Sequence, residues 1–177
     1  RILTKGSNFI PGKRTSDISR ISENVQRTVT SKLLMVGDGP EKRKAEVVAK
    51  ELGIADKVIF LGNSTEVARI LCYSDLFILP SKTESFGLVA LEAMASKTAI
   101  ISTNSGGLNE VNIEGITGYL SDVGDVKKMA NDTLKLLNDT DLLNTFKANA
   151  LSHAKTFDVV NILPKYQSIY EQLCSTV

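Results

Sequence analysis

Short apolar runs rich in Val, Ile and Leu alternate along the chain with stretches in which apolar residues return every third or fourth position. The runs read as strands at about 2–5, at KLLMV (32–36), KVIFL (57–61), LFILP (76–80), TAIIS (98–102) and GYL (118–120). In TSDISRISENVQRTV (15–29), Ile18, Ile21, Val25 and Val29 recur at helical spacing, and Ser16 is placed as N-cap. PEKRKAEVVAKELG (40–53) opens with Pro40 in its first turn and stops at Gly53. Further helices are expected at about 64–72, in the segment containing ESFGLVALE (84–92), and near 107–113. Beyond residue 124 the pattern is helical only, at about 125–138, 140–155 and 160–174, with Pro164 in the first turn of the last.

Strands of continuous apolar character, each followed by a helix, belong to a parallel sheet covered on both faces. The expected fold is therefore a doubly wound α/β sheet with a helical tail, in one domain over 1–177 without internal repeats. Ligands of such sheets bind outside the carboxyl ends of the strands. Five loops gather there: SNFIPGK, GDGPE, GNSTE, SKTESFG and NSGGLNE, all rich in Gly, Ser, Thr and Asn.

Composition narrows the picture. With 177 residues, 42% hydrophobic and 23% charged, the chain can bury one full core but not two ordinary ones. A net charge of +1 gives no strong field for nucleic acid or an anionic membrane, and Lys42, Arg43 and Lys44 read as a solvated helix face. Cys72 and Cys174 lie far apart and are expected to be small buried hydrophobes of a reduced protein. Without a signal peptide or an apolar run of about 18 residues, a cytoplasmic location without a transmembrane segment is expected. The opening RILTKG lacks an initiator Met and starts inside a strand, as a piece of a longer protein would, holding part of an active site.

Several chemistries are excluded. In VGDGPE (36–41) the third glycine of a dinucleotide fingerprint falls on Lys42, and the acid expected after the next strand is replaced by Gly62 and Asn63. No phosphate-binding G-x-x-x-x-G-K-[ST] is present. The single histidine, His153, lies in a late helix away from the loop edge, as a surface or packing residue, so no Ser-His-Asp or Cys-His arrangement can be built. The same scarcity of His and Cys argues against zinc.

ESFGLVALE carries two carboxylates eight positions apart across Gly87. Gly87 lets the backbone turn sharply, placing the amides of Gly87, Leu88 and Val89 at a helix start suited to phosphate. Glu92 stands among apolar neighbours roughly 7 Å further along the helix, and Glu84 precedes the turn. Carboxylates accept from hydroxyls, so a sugar–diphosphate–ribose ligand fits this layout. The bland alternative pairs Glu92 with Lys97 or Lys82 and makes Glu84 a cap.

The E-x7-E stretch follows SDLFILPSKT, is preceded by LLMVGDGPE and VIFLGNSTEV, and is followed by GGLNEVNIEGITGYL. This combination resembles the retaining GT-B glycosyltransferases of the group (family 4) that includes glycogen and sucrose synthases, over about Ser7 to Tyr170. The resemblance implies the Rossmann-like C-terminal, nucleotide-sugar-binding domain of a two-domain enzyme. A narrower likeness, through SNF, KR and ESFGL, is to the N-acetylglucosaminyl-malate synthases of bacillithiol biosynthesis. On this resemblance Glu92 would bind the ribose of UDP, and Glu84 the hydroxyls of the donor sugar. The amides of Gly87, Leu88 and Val89 would hold the diphosphate, with Ser85 and Phe86 shaping the turn. Lys13 would neutralise the leaving diphosphate, and backbone near Gly62 and Asn63 would read uracil. No cofactor and no metal is implied beyond a UDP-sugar donor substrate, UDP-N-acetylglucosamine by the narrower likeness, with L-malate as acceptor. The acceptor would sit mainly on an absent N-terminal domain, and the fragment alone would be inactive. The helix at about 160–174 would face that domain, or equally pack on its own, and a homo-oligomer is left open.

The chain departs from its relatives in two places. They carry an Arg just ahead of the lysine, where NFIPGK has Ile10; Arg14 is the nearest substitute. ASKTAI has Lys97 and Ala99 where Gly and Pro are usual, which bears on a helix C-cap. Two rival readings remain: a UDP-sugar epimerase on the same architecture, and a nucleotide-sugar-binding module without turnover.

Overall fold

The computed structural model describes residues 1–174. Six parallel strands, β1 (Ile2–Gly6), β2 (Lys32–Val36), β3 (Val58–Gly62), β4 (Leu76–Leu79), β5 (Ala99–Thr103) and β6 (Gly118–Ser121), form one sheet in the order β3-β2-β1-β4-β5-β6. The helices are α1 (Thr15–Gln26), α2 (Lys42–Glu51), α3 (Val67–Cys72), α4 (Leu88–Ala95), α5 (Leu108–Val111), α6 (Val126–Asn138), α7 (Thr140–Ala154) and α8 (Val159–Cys174). The doubly wound, Rossmann-like α/β fold expected of the chain is therefore the fold it has.

Every residue of β4 and β5 is buried, because helices cover both faces of the sheet. Strand alternation divides the side chains between two cores. Leu76 and Ile78 join Leu3, Ile18 and Met35 on one face, whereas Phe77 and Leu79 join Leu71, Ile100 and Met94 on the other. The edge strand β3 is less covered and leaves Ile59 and Leu61 exposed.

Local chemistry shifts several expected boundaries. β3 starts at Val58 because Lys57 closes a 3-10 turn over Ala55–Lys57. Ser16 is not an N-cap: Arg14 takes that position in the left-handed region (φ 48°), its carbonyl accepts from the Asp17 amide at 2.9 Å, and Ser16 lies inside α1 with its hydroxyl buried and unpartnered. α2 starts at Lys42, two residues beyond Pro40, since Glu41 is held by its amide to the Phe9 carbonyl (2.9 Å). Pro164 lies beyond the first turn of α8, inside the helix, where a proline removes one backbone hydrogen bond.

One burial expectation is corrected, and of the two readings of the last helix the one that packs it on its own domain is not what is found. Cys72, at the end of the short α3, and Cys174, at the end of α8, are both exposed. No residue of α8 is buried against the rest of the chain, and Val160, Leu163, Ile169 and Leu173 are open to solvent. Among the described residues no helix is long and apolar enough to cross a membrane.

Candidate functional site

The central strand β1 is flanked by β2 on one side and β4 on the other. The loops that leave β1 and β4 therefore diverge, and a crevice opens between them. It consists of two adjoining hollows. One, of about 230 Å³, is lined by Gly6, Gly37, Asn63, Ser64 and Glu92; the other, of about 440 Å³, by Lys13, Glu84, Ser85, Phe86, Gly87 and Leu88. Ser7, Asn8 and Val89 line both, so the two make one cleft.

Dense backbone contacts shape its floor. The amides of Ser7 and Phe9 donate to the carbonyls of Val36 (3.1 Å) and Asp38 (2.9 Å), laying the loop after β1 against GDGPE. Gly37 has to be glycine there: its φ is 120°, and a Cβ would lie 2.2 Å from the Ser7 carbonyl oxygen. On the other side the Lys82 amide donates to the Gly12 carbonyl at 2.8 Å, joining the loops after β1 and β4.

That junction brings Lys13 and Glu84 together. The Lys13 ammonium donates to the Glu84 carboxylate, and both side chains are largely shielded, at 18% and 14% exposure. Glu84 is thus an ion-pair partner and not a helix cap; Gly87, at φ 93°, holds the cap position of α4 without any side-chain cap. Among the described residues no acceptor is hydrogen-bonded to the amides of Gly87, Leu88 or Val89. Three donors with the helix dipole behind them are the kind of arrangement that suits an anion.

Glu92 lies exposed on the wall of the smaller hollow, so the cost of burying a lone charge does not arise. Among the described residues nothing pairs with it, neither Lys97 nor Lys82. Asn63 lines this hollow beside Ser64, whereas the Gly62 carbonyl accepts from the Gly37 amide at 2.8 Å. Phe86 is 39% exposed and packs edge-on against Phe157 (6.0 Å between centroids), which packs edge-on against His153 (5.2 Å). His153 is a packing residue, outside the cleft.

The departures from the family pattern have definite places. Ile10 is 43% exposed and lines the larger hollow, adding no charge. Arg14 does not replace the usual arginine, because it donates to Asp17 at 2.6 Å and lies beside Gly124. Lys97 adopts the left-handed conformation (φ 60°) just after α4, a position that favours glycine.

Two contributions escape a reading of motifs. Gly106 and Gly107 back the site turn: the Gly107 amide donates to the Glu84 carbonyl at 3.0 Å, and a Cβ on Gly106 would lie 2.0 Å from that same oxygen. Lys5, one residue before the end of β1, is fully buried, and burial followed by the like charge of Lys13 pushes its pKa down to about 7. A lysine within the apolar run of a central strand was the available signal.

A sequence model of the family described as glycosyl transferases group 1 matches residues 9–153. The chain belongs to this family. Among curated relatives, the group 1 chain is 41% identical over 171 residues to N-acetyl-alpha-D-glucosaminyl L-malate synthase of Bacillus anthracis, covering 96% of this chain and 45% of that protein. It is 36% identical over 140 residues to D-inositol 3-phosphate glycosyltransferase of Corynebacterium urealyticum, covering 77% of this chain and 33% of the relative. The chain thus spans less than half the length of these curated relatives. Among solved structures, sucrose-phosphate synthase from Thermosynechococcus elongatus superposes with a TM-score of 0.89 at 26% identity over 99% of this chain and 46% of that one. Anabaena HepE in complex with UDP superposes with a TM-score of 0.87 at 28% identity over 98% and 48%. These neighbours are GT-B glycosyltransferases, and the group 1 chain shares their α/β architecture.

Proposed function

We propose that this chain is the C-terminal, donor-binding domain of a retaining, metal-independent glycosyltransferase of the cytoplasm. It would bind UDP-N-acetylglucosamine and pass the sugar to a small acceptor, L-malate, held mainly by an N-terminal domain, without which it does not turn over. The observation that carries this reading is the two-hollow cleft, with free amides at the start of α4 between Glu84 and Glu92. Support for the donor comes from Anabaena HepE, which was solved with UDP and with UDP-glucose. Support for the acetylated sugar and for malate comes from the Bacillus anthracis relative.

In this reading the smaller hollow takes the nucleoside. Glu92, unpartnered on its wall, accepts from the ribose hydroxyls, and Asn63 and the backbone beside Gly62 meet the uracil edge. The diphosphate lies against the amides of Gly87, Leu88 and Val89, in the turn shaped by Ser85 and Phe86. Lys13 turns from Glu84 toward the diphosphate as the sugar leaves and charge builds on the bridging oxygen. Glu84, released from that pair, accepts from the sugar hydroxyls. Cation and amides together do the electrostatic work that a metal performs in other transferases, which is why metal independence is part of the reading.

Calorimetric titration with UDP, UDP-N-acetylglucosamine, ADP and NAD, in buffer with chelator, tests it. Selective uridine binding is expected; equal binding of ADP, or a requirement for added metal, overturns it. Product analysis with the full-length protein separates transfer from epimerisation, since an epimerase changes the UDP-sugar with no acceptor present.

A further inference from the structure

Lys5 immediately precedes Gly6, Ser7 and Asn8, which line the cleft, and it is fully buried in the central strand. Its Nζ donates to the Ser7 carbonyl at 2.6 Å and lies 3.8 Å from the centroid of the Phe9 ring. Among the described residues no carboxylate pairs with it. Fully buried lysines almost always have a charged partner, and one without a partner loses its proton readily.

Most ionisable groups in the loops and helix starts at this end of β1 are matched with one another; among the described residues Glu92 is unpaired and negative, and Lys82 is exposed and lies outside the cleft lining. Lys13 holds Glu84, Asp17 holds Arg14 and Arg20, and Asp38 holds Lys42. With Ile10 in the cleft wall, the ion pair leaves the site without net positive charge from side chains. A nucleoside diphosphate brings more than one negative charge to this place.

We propose that Lys5 is the second cation of the site, neutral when the cleft is empty and protonated when a diphosphate occupies it, so that donor binding takes up a proton. This rests on the donor-binding reading given above. An anion against Ser7 and Asn8 attracts the ammonium through a poorly screening interior, and the Ser7 carbonyl and Phe9 ring are in place to receive it. Burial and Lys13 bring the Lys5 pKa down to about 7, so near neutral pH both forms are accessible and the anion decides between them. The proton comes from solvent and returns there when UDP leaves. Lys5 touches no reacting atom; it is a positioning residue that acts through the loop after β1.

Calorimetry of UDP binding in buffers of low and high ionisation heat, at pH 7 to 8, counts the protons. The wild type is expected to take up a fraction of one proton per UDP, and Lys5→Met none. The wild-type affinity is also expected to fall from pH 6 to 9 relative to that of Lys5→Met. Proton uptake equal in the two proteins overturns the proposal and leaves donor binding intact, whereas no UDP binding by the wild type overturns both. Should Lys5→Met fail to fold, the side-chain carbon resonance of Lys5 in the wild type reports its midpoint directly. UDP is expected to raise that midpoint, and an unmoved midpoint overturns the proposal.

Discussion

Gly106 and Gly115 both adopt left-handed backbone, at φ 58° and 73°, but their surroundings differ. A Cβ on Gly115 meets nothing within 4 Å, whereas one on Gly106 would lie 2.0 Å from the carbonyl oxygen of Glu84. Alanine at either position incurs the left-handed penalty of about 1–2 kcal/mol, partly offset by about 0.4–1 kcal/mol from a less flexible unfolded chain. Gly115→Ala is therefore expected to cost about 1 kcal/mol. Gly106→Ala adds overpacking of about 1–3 kcal/mol, because the obstructing atom is backbone and cannot swing aside. The gap of about 2 kcal/mol is read as a difference in urea midpoint of about 1 M at ordinary slopes of about 1–3 kcal/mol per molar. The same displacement moves Glu84, so Gly106→Ala is expected to weaken UDP-sugar binding while Gly115→Ala leaves it unchanged. Equal midpoints for the two variants would show that the loop after β5 does not brace the site turn, and would refute the reasoning.

Glu92→Ala is expected to weaken UDP itself by about tenfold, the loss of a charge-assisted hydrogen bond, whereas Glu84→Gln spares UDP and weakens the UDP-sugar; equal effects on UDP in calorimetry would sink that division of roles. Lys5 titrates near 7 in the folded chain and at 10.5 unfolded, so between these values the unfolded chain binds more protons and stability rises with pH. Urea midpoints at pH 7 and 9.5 are expected to show this rise, worth up to a few kcal/mol at about 1.4 per pH unit, in the wild type but not in Lys5→Met; parallel changes in both would contradict it. Asn112 is fully buried, donating to Ser102 Oγ (2.9 Å) and the Tyr119 carbonyl (3.1 Å) and accepting from Thr117 Oγ1 (2.9 Å). Asn112→Ala strands these groups and is expected to cost about 2–3 kcal/mol, measurable by thermal unfolding; a change under 1 kcal/mol would mean that water replaces the amide.

Most of the strands were legible because their apolar residues run consecutively, the mark of a sheet covered on both faces, and with them came the edge where the cleft lies. Glu84, Gly87 and Glu92 were legible because a charge and a glycine at those spacings are conspicuous in an apolar stretch. Their neighbours were harder to read, since contacts between loops leave no period. Nothing within NSGGLNE tells that Gly106 lies under the Glu84 carbonyl, and nothing near Lys13 tells that Glu84, 71 residues away, is its partner. Ser16 and Pro40 carry the right chemistry for a helix start, but a local turn at Arg14 and a tertiary hydrogen bond to Phe9 moved the starts. Cys72 and Cys174 were misread because apolar character predicts burial only where the fold supplies something to cover it.

Parallel pairing on both sides of β1 ties the first strand to residues that come much later in the chain. β2 can cover one margin of β1 soon after synthesis, but the other stays open until Leu76–Leu79 has been made. A truncated chain ending before Leu76 would leave β1 as an outer strand with its backbone donors and acceptors unsatisfied, a template for association with other chains. An inward-facing charge is one of the devices that discourage such pairing, and β1 carries one in Lys5.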